Sequence, residues 1–267
     1  MNPKKYLTLT RMGIMESLQF RMSTVIIFVG NLLYLIVVYF LWKAIYASSG
    51  QEVVNGMTFS DTLIYLVLAT ALFNFMEMYT VWQIGRAIQS GSIVLYLLKP
   101  MEIRRYIFME YSGNFIVNFF ATLFPTFIVV NIVTHGAVPL GLNLLYFVVS
   151  VVIAVMINYN IDFFVGTICL YTESIWGINI MKQVIVLLLS GATIPLAFFP
   201  ESIRNIVNWL PFQSIYNTPL TLLLGKTADI KDVAVILGTQ LFWFLATYAV
   251  SKLFWKISLP QITVNGG

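Results

Sequence analysis

Hydrophobic positions fall in long unbroken runs rather than in an alternating or heptad pattern. Five runs stand out: 25–45, 59–82, 111–134, 142–169 and 233–251. Each has at least the ~18–20 residues a helix needs to cross ~30 Å of hydrocarbon. Isolated strands cannot satisfy their backbone groups in lipid, so each run is predicted to be a helix. A sixth run, 184–199, is only 16 residues long, about 24 Å as a helix. It carries Gly191 and Pro195, and a kink is expected at Pro195, where a backbone hydrogen bond is lost.

Beyond this run the period changes. In "PESIRNIVNWLP" Ile203, Ile206, Val207 and Leu210 recur at i, i+3, i+4 and i+7, one apolar helix face opposite Ser202, Arg204, Asn205 and Asn208. Pro200 suits a helix start and Pro211 a stop. Such a helix lies in a membrane interface rather than crossing it. A second short segment, about 214–224, reads as another cap helix or a re-entrant piece, and 200–228 together as a cap on one membrane face. Residues 3–22 form a weaker amphipathic pattern (Leu7, Ile14, Met15, Leu18, Met22, interrupted by Arg11) and suggest a surface helix leading into the first span.

Composition agrees. The chain is 59% hydrophobic and 10% charged, against roughly 25% charged in soluble domains. The expectation is a single all-α integral membrane domain over 1–267: an interfacial helix within 1–24, six spans within 25–256, a loop at 83–110 and the cap at 200–228. The N-terminus is polar and basic, and the first apolar run is long enough to span, so it is expected to stay as an uncleaved anchor. A net charge of +4 reads as basic loops, not nucleic-acid binding. With six spans and the N-terminus inside, Lys4, Lys5, Arg11, Arg21, Arg86, Lys99, Arg104, Arg105, Lys182, Lys252 and Lys256 fall inside. Lys43, Arg204, Lys226 and Lys231 fall outside. That bias puts both termini and the 83–110 loop in the cytoplasm and the cap outside.

Enzymatic chemistry finds little support. One cysteine (Cys169) and one histidine (His135) cannot build a disulfide or a Cys/His metal site. "GKT" at 225–227 lacks the glycine that a phosphate-binding loop needs five positions earlier, where Leu220 stands. No catalytic residue, resident metal or cofactor is expected. Glu77, Glu110 and Asp162 lie in or beside spans near Arg86, Arg104, Arg105 or Lys182. With Lys182 they read as ion pairing at the inner boundary or, alternatively, as an acidic entrance for a cationic substrate or a relay. Trp42, Trp82, Trp209 and Trp255 fall near predicted interfaces, as anchoring tryptophans do.

The loop "QIGRAIQSGSIVLYLLKPMEIRRY" has glycine breaks at Gly85 and Gly91, an apolar patch with Leu95, Leu97 and Leu98, then Lys99-Pro100 and Arg104-Arg105. Leucine facing water costs ~25 cal/mol per Å², so lipid or a partner protein should cover it. This loop resembles the coupling loop of type-2 ABC exporter permeases. The tract 189–220, with "FFP", a short amphipathic helix and "LPFQSIYNTPL", resembles their C-terminal signature. The resemblance spans nearly the whole chain. It implies six spans, a second permease (the same or a related chain), and an ABC ATPase subunit that supplies ATP and Mg²⁺ chemistry. Docking residues would be Gly85, Arg86, Gly91, Leu95, Leu97, Leu98, Lys99, Pro100, Arg104 and Arg105, together with the N-terminal helix. The exit cap would comprise Pro195, Pro200, Ile203, Ile206, Val207, Leu210 and Pro211. The implied function is ATP-driven export across a bacterial cell membrane. An ion- or proton-coupled carrier, or a non-transporting membrane component, stays open on the residues alone.

Overall fold

The computed structural model describes residues 3–19, 21–136, 138–139, 141–172, 174–225 and 229–262. Five helical stretches among these are long and apolar enough to cross a membrane: Val29–Ser49, Phe59–Gln89, Ile103–Val133, Leu142–Ile168 and Ile230–Gln261. The chain is thus a helical, multi-pass membrane protein.

The N-terminal helix α1 (Pro3–Gln19) is followed by α2 (Arg21–Ser49). On α2, Val38, Trp42 and Tyr46 turn inward while Val37, Phe40 and Leu41 face outward. Trp42, expected as an interface anchor, is instead packed edge-on against Phe198, because the turn bearing Phe198 folds back over this end of the bundle. A hairpin absent from the sequence reading follows: β1 (Val53–Val54) pairs with β2 (Met57–Thr58). Its Asn55-Gly56 turn has both residues at positive φ, as a two-residue hairpin turn requires. The Tyr46 hydroxyl donates to the Met57 carbonyl at 2.8 Å, tying the hairpin to α2.

Helices α3 (Phe59–Met76) and α8 (Leu142–Ile168) form the buried centre. Thr58 and Asp61 build a reciprocal capping box at the start of α3. After Met76 the chain is extended at Glu77, and α4 (Thr80–Gln89) restarts three residues on. A broken helix at membrane depth needs partners for its freed carbonyls. Asn158 of α8 donates to Met76 O and Asn118 to Asn74 O, both at 3.2 Å.

The stretch 83–110, expected as a loop, is mostly helical. It contains the end of α4, the short α5 (Ile93–Leu97) and the start of α6 (Ile103–Asn118), with Gly91 at φ 72° forming the elbow between the first two. Apolar side chains facing both neighbouring helices and the surface give these segments helical periodicity despite their charge. One π-helical turn, Phe119–Leu123, joins α6 to α7 (Phe124–Val133).

The sixth run is corrected in place and form. The helix there is α9 (Ile175–Leu189), beginning nine residues before the predicted start. At 15 residues it reaches about 22 Å. Ser174 caps its start by accepting from Gly177 N at 3.3 Å. It ends at Gly191 (φ 81°), not at Pro195. Gly191 O accepts from the Tyr65 hydroxyl at 2.9 Å, and Ser190 O from Asn217 N at 3.1 Å. The chain then leaves the helix through a 3-10 turn, Leu196–Phe198.

Next come α10 (Glu201–Asn208) and α11 (Asn217–Leu223), separated by the turn Pro211–Ser214. Pro200 is the N-terminal boundary of α10, as its position suggested. The apolar face of α10 is split. Val207 is buried, whereas Ile203 and Ile206 are exposed beside Trp209, which is 81% exposed. Positions 226–228 of the expected cap, including Lys226 and Thr227 of "GKT", lie outside the described residues.

The last helix, α12 (Ile230–Ser258), packs along α8. Gln240 locks them at depth. Its amide accepts from Ser150 Oγ and donates to Ser150 O and Ser214 O, each at 2.9 Å. Gln240→Leu leaves these buried groups unpaired, at about 1–3 kcal/mol. Thermal melting in detergent should show a clearly lowered midpoint, while Thr239→Leu, on the exposed face, should leave it in place.

Candidate functional site

Two helices that are remote in sequence are joined at the backbone. In α1 the apolar residues Leu7, Met15 and Leu18 stay exposed. It is the small polar stripe Thr10, Gly13 and Ser17 that packs on α6. A Cβ on Gly13 would lie 2.2 Å from Glu110 O, and one on Gly113 2.3 Å from Thr10 O. Only glycine permits this approach, as in close-packed membrane helix pairs. Thr10 and Ser112 hydroxyls meet at 2.6 Å, and Ser17 hydrogen-bonds Asn114.

On the far side of α4 lies the elbow predicted to dock a partner. Leu95, Leu97 and Leu98 are exposed, Leu98 by 75%. Ile93 is buried beneath them and holds α5 to the body. Lys99 sits 3.5 Å above the Tyr106 ring and 4.8 Å from that of Tyr96. Arg86 is exposed and stacks on Trp82 at 5.3 Å. Gly85 is buried against the Ile175 side chain, where a Cβ would lie 2.9 Å from it; it packs α4 on α9. Pro100 is exposed in the turn that leads to α6.

Arg104 and Arg105 part company. Arg105 is exposed and paired with Glu102 at 3.3 Å. Arg104, grouped with it by sequence, is turned inward and only 6% exposed. It bonds Asn160 and donates to Tyr248 O at 3.4 Å, with its guanidinium 4.3 Å from the Tyr248 ring. Tyr159 OH donates to Arg104 O at 2.5 Å. Position 104 follows the start of α6, so its side chain meets α8 and α12; it is an interior clasp, and a docking partner cannot reach it.

Of the four predicted charge-network residues, Lys182 acts on both Asp162 and Glu77, while Glu110 is held separately by Gln83. Asp162 is fully buried and pairs with Lys182 Nζ at 2.8 Å, joining α8 to α9. Glu110 accepts from the Gln83 amide at 2.7 Å, and Glu77 from the Tyr79 hydroxyl at 3.2 Å. Beside the Asp162–Lys182 pair, α8, α9 and α12 enclose an apolar groove of about 340 Å³, floored by Phe164, Ile185 and Trp243.

Between α1, α4 and α6 lies a larger cleft of about 950 Å³. Its wall along α6 and the π-helical turn is a stripe the sequence reading missed: Glu110, Asn114, Asn118 and Thr122, every fourth residue; Asn74 of α3 and Glu77 just after it also line the cleft. The stripe extends ~18 Å along the helix axis. The available signal was that spacing of four, hidden inside an otherwise apolar run. The cleft reaches the α4–α5 elbow at Ser90, Ser92 and Tyr96.

The model of a family described as ABC-2 family transporter protein matches residues 32–266. The chain belongs to the ABC-2 transporter family. No curated protein matches it in sequence. As an ABC-2 permease it is a membrane transport component of a family whose members are generally non-catalytic transmembrane subunits, and family membership implies an ABC ATPase partner.

Proposed function

We propose that this ABC-2 permease is the membrane subunit of an ATP-driven exporter. A separate ATPase subunit docks on α1 and on residues 85–105 and carries the ATP and Mg²⁺. A second permease, identical or related, completes the path, because one protomer of this size has too few helices to enclose a wide one. In this reading α9 with its non-helical continuation serves as the short fifth span, giving six. Both termini face the cytoplasm of a bacterial cell, and α10 and α11 cap the exit.

The observation that carries the reading, beyond the family match, is the rigid seam between α1 and α6. Both docking elements then act on one beam: α1 through its glycine crossing, and α4–α5 through Gln83, which bridges Tyr96 and Glu110. Closure of the ATPases would shift this beam, and the π-helical turn above it is a natural flexure, since such turns mark weak points in a helix. ATP binding would thereby bias the membrane halves between inward- and outward-open states.

Leu97→Asp with Leu98→Asp places two charges in the exposed elbow without touching the core. Copurification of the ATPase is expected to fall at least tenfold while the permease keeps its melting temperature. Undiminished copurification would reject docking at this surface. Efflux that persists without ATP and collapses with the proton gradient would instead favour the ion-coupled carrier.

A further inference from the structure

We propose that the cleft beside α6 binds an amphipathic organic ammonium ion. As recognition of cargo this rests on the exporter reading; as binding it does not.

The cleft's volume of about 950 Å³ lies at the upper end of small-molecule sites. Its lining is mixed in a particular way. Glu16, Glu77 and Glu110 face it with Arg86 as the single opposing cation among the described lining residues. None of the three glutamates has an ion-pair partner within 4 Å among the described residues. From farther away Lys182 acts on Glu77 and Lys99 on Glu110, but Lys182 is shared with the buried Asp162 and neither lysine lines the cleft, so its lining keeps three carboxylates against one cation. Carboxylates beside membrane-depth helices are costly and are kept where they face a cavity or a pathway.

A second observation is independent of charge. Gln83 lines the cleft, spends its amide nitrogen on Glu110 and Tyr96, and leaves Oε1 buried with no partner among the described residues. A buried acceptor without a donor is costly, and an ammonium N–H supplies one. Tyr79 and Tyr111 add aromatic rings, which attract a cation and cover an apolar tail. An anion would meet the carboxylates, and a fully hydrated inorganic cation would leave the rings unused.

The test uses the whole permease in nanodiscs, without ATPase, and a matched fluorescent pair: dansylcadaverine, an amphipathic primary ammonium, and dansylglycine, its anionic counterpart. After subtraction of empty nanodiscs, dansylcadaverine should bind saturably and dansylglycine should not. Glu77→Gln and Glu110→Gln should each weaken binding about tenfold at unchanged melting temperature. Asn114→Asp keeps the oxygen that accepts from Ser17 and adds a charge, so it should tighten binding severalfold, a gain that misfolding cannot mimic. No saturable binding, equal binding of the two dyes, or indifference to all three substitutions would overturn the proposal. Failure of the unsubstituted permease to copurify with any ABC ATPase, with glutamate-dependent binding intact, would sink the exporter reading and leave the cleft standing.

Discussion

Gly113→Ala is expected to detach α1 from α6 and to uncouple the permease from its ATPase, although it adds a single methyl group. The new Cβ would lie 2.3 Å from Thr10 O, a backbone atom that no rotamer change can move. Gly13→Ala makes the reciprocal collision with Glu110 O at 2.2 Å. In a core, such overpacking costs ~1–3 kcal/mol, shared among shifting side chains. Here both surfaces are backbone, and α1 packs chiefly on α6, so the least costly response is for α1 to come away as a unit. That forfeits the Thr10–Ser112 and Ser17–Asn114 hydrogen bonds as well. The direct measurement is a disulfide between Thr10→Cys and Ser112→Cys, whose native hydroxyls stand 2.6 Å apart. The buried Cys169 does not compete. Cross-linking should be rapid in the parent and at least tenfold slower with Gly113→Ala, with permease-stimulated ATP hydrolysis lost in parallel. Gly30→Ala, where a Cβ meets nothing within 4 Å, should change neither. Equal cross-linking in all three would show that the seam is not as tight as its geometry.

How much of this was readable in advance follows from what each feature depends on. The long spans were legible because transfer into lipid depends on summed hydropathy, which a run such as 142–169 displays without reference to neighbours. The start of α10 was legible too, since Pro200 and the spacing of Ile203, Ile206, Val207 and Leu210 are local. The true extent of α9 was not. Lys182 looked like a boundary, and its place inside the helix makes sense only once Asp162, twenty residues away on α8, is known to face it. Likewise the break was sought at Pro195, but Gly191 breaks the helix because Tyr65 and Asn217 wait to receive its freed backbone. In α1 the apolar stripe drew attention, yet packing used the small residues, because close approach of two helix backbones needs small side chains at the crossing. Arg104 and Arg105 are indistinguishable in sequence and opposite in fate, since one helical step turns a side chain by about 100°.

That same dependence on a distant partner makes Lys182→Met the most damaging single change expected at the bundle's centre. Asp162 has no exposed surface, and the Lys182 ammonium is its single charged partner among the described residues. Removing it strands a buried carboxylate, which typically costs ~3–5 kcal/mol. On the same helix Asn158 is spent on Met76 O, and Asn160 on Arg104, Phe244 and Thr247. Because α9 is short and mostly outward-facing, the loss should appear first as release of α9 from α8 and opening of the apolar groove between them. The double replacement, Asp162→Leu with Lys182→Met, removes both desolvation penalties and should recover most of the stability, since apolar substitutes for a buried pair are often neutral or better. Unfolding midpoints of the two single variants and the double variant form the decisive cycle. A double variant as unstable as the worse single would mean that the pair does more than neutralise itself, and that α9 needs its charge for seating.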